Sequence, residues 1–306
     1  MTTSTSLPPP ITDWVLSNLG SRPLIDSVRQ LQGSTSAELY LLTITESAKS
    51  TQLVLRLLTN RQWLLEEPGL AEHEAGALSL ASQSGLPVPQ LIAFDAHGSR
   101  CGLPAVLMTH VSGEVNLLPA DFDGWLRQMA AALLPLHALE AADLKWKFYS
   151  YNKPKNLKIP TWSQQPDLWQ KAIHIVNQPA PPPRYCFIHR DYHPMNTLWQ
   201  GPTLSGIVDW INACRGPEPY DLAWNRLNLM SMYGVEGANR LRDLALESCG
   251  PSAWHPYWDL MALIELLPGP PEVYPPWPQF GLEGLTSSLL GARAEDYLAS
   301  LLAELT

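Results

Sequence analysis

The chain has 306 residues, 45% hydrophobic and 16% charged, with a net charge of −9. That length allows one large domain or two moderate lobes, and no apolar run reaches the roughly 18 residues that span a bilayer. The acidic balance argues against a nucleic-acid partner, which needs a basic face. Four single cysteines without a CxxC pair argue against a zinc ribbon or a disulfide framework.

The opening MTTSTSLPPP carries neither a basic nor an apolar signal region, so a cytoplasmic protein with no membrane contact is expected. Residues 37–44 and 52–58 are apolar, strand-like runs joined by a polar turn at 45–50. Residues 70–84 have helical spacing and stop at Gly85, with Pro87 and Pro89 beyond. Residues 103–108 form another strand. Residues 122–142 read as a long buried helix containing Pro135, and 167–176 as a short one. Residues 197–200 and 204–210 flank a Gly-Pro turn and predict a β-hairpin. From Tyr220 onward the pattern is helical, with proline interruptions. The proline clusters at 8–10, 179–183 and 268–278 read as loops and stops. The outline is an α+β, bilobal chain: a small β-rich lobe over 1–110 and a larger, mainly helical lobe over 111–306. A small-molecule site between lobes is the natural expectation.

The chemistry concentrates in CFIHRDYHPMNTLW at 186–199, where two imidazoles, a guanidinium, a carboxylate and an amide sit between apolar segments. Two readings compete: a metal site, or the catalytic loop of a phosphoryl-transfer enzyme. Asp191 and Asn196 are five residues apart, and Asp209 lies 18 beyond Asp191 at the end of a returning strand. The hairpin therefore predicts that Asn196 and Asp209 face one point. An amide oxygen and a carboxylate, completed by waters and phosphate oxygens, suit Mg²⁺, and Asp191 is then placed to accept a proton from an incoming hydroxyl. Such a reaction also needs a basic residue on a strand, an acid on a helix and a phosphate-covering turn. Arg56, then Glu72 or Glu74 (with Glu74 in the better register), and the turn 32–36 around Ser34 supply them. His189 reads as a buried scaffold of the loop.

These motifs resemble the aminoglycoside phosphotransferase and choline kinase-like family, which shares the protein-kinase fold. The resemblance rests on His189-Arg190-Asp191, Asn196, Ile207-Val208-Asp209-Trp210 and Tyr220-Asp221-Leu222-Ala223. It is supported by Glu74 with Gly85-Leu86-Pro87-Val88-Pro89, by Val106-Leu107-Met108 with Gly113, and by Leu136-His137-Ala138-Leu139. It covers most of 30–265. It implies an ATP-dependent small-molecule kinase in which Asp191 is the catalytic base and Asn196 and Asp209 hold Mg²⁺. Arg56 would contact the ATP phosphates, Glu74 would orient Arg56, the backbone at Met108, Thr109 and Val111 would receive adenine, and Asp221 would brace the loop. Two positions depart from the family: Arg190 stands where glycine is usual, and Arg56 where lysine is common.

The acceptor is expected to be a small hydroxylated molecule. From 201 to 306 there are 13 Asp and Glu against 5 Arg and no Lys, so this third of the chain carries −8 and leans towards a cationic acceptor. Because the family binds its acceptor with C-terminal helices, Trp258, Asp259 and Glu265 are the expected contacts, with Tyr192 and His193 beside the base. The alternatives are a catalytically inactive binding member of the fold, or a metal-dependent hydrolase built on His189-x-Asp191-x-His193, which would need further ligands although only His255 follows. A protein kinase is disfavoured, because Asp209-Trp210 replaces Asp-Phe-Gly and no Ala-Pro-Glu follows. A monomer and a homodimer both fit.

Overall fold

A computed structural model describes residues 6–20, 22–31, 37–46 and 49–305. The chain divides into two compact units: Met1–Ser112 with Gly206–Ala213, and Gly113–Ser205 with Cys214–Thr306. The first unit thus takes back a short segment, the one carrying Asp209, from the part of the chain expected to be helical.

The first unit is built on a five-stranded antiparallel sheet in the order β1-β2-β3-β5-β4: β1 (Leu24–Leu31), β2 (Glu38–Glu46), β3 (Lys49–Leu57), β4 (Leu91–Asp95) and β5 (Ala105–Thr109). Strand alternation divides β3 between two faces. Leu53, Leu55 and Leu57 join an apolar core with Ile11, Trp14 and Val15 of α1 (Pro9–Ser17), while Arg56 points to the other face. Each such leucine, removed from water, contributes about 1.5–3 kcal/mol. α1 corrects the reading of prolines 8–10 as a loop. Pro9 and Pro10 occupy the first turn of a helix, where the missing N–H is no loss and the fixed φ is already helical. Helix α2 (Arg61–Glu66) is short and capped by Asn60. Helix α3 (Leu70–Ala81) runs into a 3₁₀ turn and ends at Gly85, whose φ of 75° a glycine adopts without strain.

The second unit is mainly helical: α4 (Phe122–His137), α5 (Pro166–Val176), α6 (Pro219–Tyr233), α7 (Val235–Cys249), α8 (Pro256–Leu263) and α9 (Ser287–Ala303). Two short antiparallel pairs complete it. β6 (Tyr185–Ile188) pairs with β9 (Cys214–Pro217), and β7 (Thr197–Gln200) pairs with β8 (Thr203–Ile207), whose last two residues open the returning segment. Trp169, Tyr220, Leu260, Tyr297 and their neighbours form its core. No described helix is long and apolar enough to cross a membrane.

Candidate active site

In the first unit, Arg56 is 5% exposed and Glu74, on the inner face of α3, is 1% exposed. Arg56 Nη1 lies 3.4 Å from Glu74 Oε1 and donates to Asp209 Oδ1 at 2.8 Å. Glu74, not Glu72, is the acid placed against Arg56. Burial works against the Arg56 charge, but Asp209 and then Glu74 outweigh it and raise the guanidinium pKa above its ordinary value. Burial pushes Glu74 up to about 7, Arg56 pulls it down and Asp209 adds to the rise. Asp209 itself is only half-buried. It sits at φ 67° in the left-handed region, a conformation costly for a non-glycine residue that therefore needs local support. That support comes from a 3₁₀ turn over Trp210–Asn212, from Trp210 Nε1 donating to Ile207 O, and from His73 Nε2 at 2.6 Å from Ala213 O.

The expected adenine contacts fare unevenly. Met108 and Thr109 lie within β5, where Thr109 N donates to Gln90 O, and His110 N is taken by Gln52 O. The N–H of Thr109 is thus committed to its own sheet. Val111, beyond the strand end, stays in the reading. Ser34 and its turn lie outside the described residues.

In the second unit, Asp191 follows β6. Its Oδ1 accepts from Trp224 Nε1 at 2.9 Å and lies 3.4 Å from His193 Nε2. Its Oδ2 accepts from Asn196 Nδ2 at 3.3 Å, and its backbone carbonyl from the same nitrogen at 2.9 Å. Burial alone would raise the Asp191 pKa, but His193 first, then His189 and the Trp224 indole, hold it well below the carboxylate range. His193 Nδ1 accepts from Met195 N, and its Nε2 lies 3.2 Å from Asn196 Nδ2.

The loop is fastened from α6. Asp221, fully buried, accepts from His189 N at 2.9 Å, Arg190 N at 2.6 Å and His137 Nε2 at 2.9 Å. Trp224 lies three residues on, on the same helical face. One helix therefore holds both the backbone of the loop and the carboxylate of its central residue. Sequence reasoning missed Trp224; its spacing from Asp221 is the signal that points to it. Arg190 also occupies the left-handed region, at φ 67°. Its guanidinium lies 4.2 Å from the Tyr149 ring centre and 4.3 Å from that of Tyr151, and Nη2 donates to Tyr149 O.

Four expected acceptor contacts are corrected. Tyr192 is fully buried and donates its hydroxyl to Met129 O. Trp258 is a core residue stacked edge-on against Tyr257 and Phe148. Asp259 is fully buried; it is paired with Arg226 and accepts from Trp254 Nε1 and, at 2.7 Å, from Tyr297 OH. Glu265 accepts from Ser150 Oγ, Tyr151 N and Asn152 N, so both of its oxygens are committed to the loop they hold. An acid among apolar residues on a helix is more often a buried partner than a ligand contact. His193 does stand beside Asp191.

Each unit, taken by itself, offers one oxygen ligand of the kind a hard cation takes. In the second, Asn196 spends its amide nitrogen on Asp191 and not its oxygen; in the first, Asp209 bonds Arg56 through Oδ1 and not Oδ2. Oxygens in small number, completed by water and phosphate, match Mg²⁺. Among the described residues no group of three or more His, Cys, Asp or Glu side chains is placed to hold a metal, so His189 and His193 gain no further ligands of that kind.

Comparison with known proteins follows the same lines. The model of the phosphotransferase enzyme family matches residues 27–258. A homoserine kinase from Methylocella silvestris is 28% identical over 194 residues, which is 57% of this chain and 57% of that protein, so the match spans little more than half of the relative's length. Among solved structures, macrolide 2′-phosphotransferase MphH from Brachybacterium faecium superposes with a TM-score of 0.54 at 15% identity, covering 78% of this chain and 83% of that one. A thermostable mutant of aminoglycoside phosphotransferase APH(4)-Ia, in a ternary complex with AMP-PNP and hygromycin B, gives 0.59 at 12% identity, covering 94% and 97%. At these identities the structural likeness establishes the fold.

Proposed function

Because the chain belongs to the phosphotransferase enzyme family, we propose that it moves the γ-phosphate of MgATP to a hydroxyl of a small molecule, with Asp191 at the reacting hydroxyl. The observation that carries this reading is the way Asp191 is held. Trp224 and His193 occupy one carboxylate oxygen and Asn196 touches the other, so the group is fixed in rotation and ionised throughout the neutral range. A carboxylate of such low basicity is a weak base. Its first task is to orient the hydroxyl by accepting its hydrogen bond, and it takes the proton late, as the oxygen loses electron density to phosphorus. Arg56 presents a charge that cannot be lost to the phosphate oxygens, and Glu74 keeps that guanidinium in place. Asn196 and Asp209 would supply oxygens to Mg²⁺, and Val111 a backbone contact to adenine. Bound MgATP brings the transferable group and a metal charge that offsets the phosphates.

The acceptor belongs to the range suggested by the relatives: an amino-acid alcohol, as for the homoserine kinase, or a hydroxylated antibiotic, as for the structural neighbours. A cytoplasmic location accompanies the use of ATP. The test is calorimetric titration of ATP with Mg²⁺ present and then chelated, followed by a screen for ADP release across hydroxylated amino acids, sugars and antibiotics. Magnesium-dependent binding with acceptor-dependent ADP release is expected. Failure to bind ATP in either condition sinks the reading.

A further inference from the structure

Six of the seven lysines of this acidic chain, Lys145, Lys147, Lys153, Lys155, Lys158 and Lys171, fall between residues 145 and 171, where the only acid is Asp167. The segment therefore carries +5 in a protein of −9. All six side chains are exposed, and Lys147, Lys153, Lys155, Lys158 and Lys171 form no ion pair with a described residue.

The segment is built into the second unit. Arg215 N donates to Trp146 O and Phe148 N to Arg215 O, which lays 146–148 parallel to β9. Alternation turns Trp146 and Phe148 onto the core and Lys145 and Lys147 outward. Glu265 grips 150–152, Asn152 Nδ2 donates to Ile264 O and Leu267 O, and Asn177 Nδ2 holds Pro154 O. The strap meets the catalytic loop directly, because the guanidinium stacked on Tyr149 and Tyr151 belongs to Arg190, the neighbour of Asp191.

Resting on the kinase reading above, we infer that the acceptor carries an anionic group, a carboxylate or a phosphate, gathered by this lysine strap. Two observations converge. The acids expected to receive a cationic acceptor, Asp259 and Glu265, are consumed internally. Lys147, Lys153, Lys155, Lys158 and Lys171 form no ion pair with a described residue, on a segment whose Tyr149 and Tyr151 touch Arg190 of the Asp191 loop. A strap of one sign beside a site raises the local concentration of the opposite ion and its rate of arrival by 10- to 10³-fold. An extended polyanion such as nucleic acid or an anionic membrane would also meet the acidic remainder of the surface, whereas a small anion meets the strap alone.

The lysines supply their own probe. Reductive methylation with ¹³C-formaldehyde keeps their charge and labels few other groups, so the strap dominates the ε-methyl NMR spectrum. Glycerol 3-phosphate, D-glycerate, choline and glycerol would be titrated in turn, with phosphatidylserine vesicles as a separate arm. Saturable shifts of the strap signals with either anion are expected, the stronger response telling phosphate from carboxylate. The triple variant K147E/K153E/K155E should weaken that binding about tenfold or more while its ATP titration and melting temperature stay at wild-type values. Absence of saturable shifts with both anions, tighter binding of choline, or binding to vesicles alone would overturn the inference. The ATP titration reads the kinase assignment separately, so failure of one does not hide failure of the other.

Discussion

Glu74 and Asp191 are both carboxylates withdrawn from water, yet their acidities move in opposite directions. Glu74 has one cation at 3.4 Å, and its Oε2 has no hydrogen-bond partner among the described residues; burial wins, and its pKa rises to about 7. Asp191 has a donor on each oxygen and two histidines nearby, and there His193 first, then His189 and the Trp224 indole, outweigh burial. The difference shows that one cation alone does not keep a buried carboxylate ionised, whereas several favourable neighbours acting together do. It also separates the tasks proposed for them: Glu74 would serve a cation in a dry setting, and Asp191 would receive a hydroxyl.

The largest effect that sharpens this contrast is Asp191→Asn. It keeps the shape and loses the charge, so kcat should fall by about 10²–10⁴-fold with the KM for ATP nearly unchanged. Steady-state ADP release checks it, and turnover within about threefold of wild type would remove Asp191 from the reaction.

Next comes Arg56→Met. Removing one partner of a buried charge pair costs about 3–5 kcal/mol, but Glu74 can escape by taking a proton. The loss in urea unfolding should therefore be large at pH 8 and smaller at pH 6. Equal losses at both would mean that Glu74 does not titrate in that window.

Glu74→Gln gives a smaller and purely pH-dependent signature. The folded carboxyl binds its proton more tightly than the unfolded one, whose ordinary value is 4.5. Its stabilising contribution is therefore complete below that pH and is lost as pH rises through about 7, by at most about 1.4 kcal/mol per pH unit. The variant should flatten this slope. Asp191 has the opposite sign: its contribution is present above its ordinary value of 3.8 and is lost as pH falls below it, so Asp191→Asn should flatten only the acid side.

How legible each region was in the sequence follows from the same physics. In the sheet, β2, β3 and β5 announce themselves as apolar runs because inner strands are covered by neighbours. The unpredicted β1 and β4 are the edges, half-exposed and without clean alternation. Asp191 and Asn196 are legible as neighbours because one loop places them by local spacing, and Asn196 Nδ2 donates to Asp191. Asp259 and Glu265 misled because their partners, Arg226, Tyr297 and the loop 150–152, are remote in sequence and carry no local signal. Trp224 lies between these cases, remote from Asp191 yet three residues from Asp221.

Trp224→Phe is the finest test of the comparison, because it asks whether a neutral donor is part of what keeps Asp191 unlike Glu74. Phenylalanine preserves an aromatic ring against Tyr220, whose ring lies 6.2 Å away and nearly parallel, and removes only the N–H. A hydrogen bond to a charged group contributes about 1.5–3 kcal/mol, partly replaced here by His193 and Asn196. The Asp191 pKa should then rise by about one unit, moving the acid limb of kcat/KM upward by as much, with kcat falling several-fold and the affinity for ATP unchanged. A structural role alone would lower the melting temperature and leave the acid limb in place. The double-mutant cycle with Asp191→Ala separates the two without any acceptor: if the indole acts through the carboxylate, the stability losses of the single variants exceed that of the pair, and if they simply add, Trp224 is packing and Asp191 owes its acidity to the histidines.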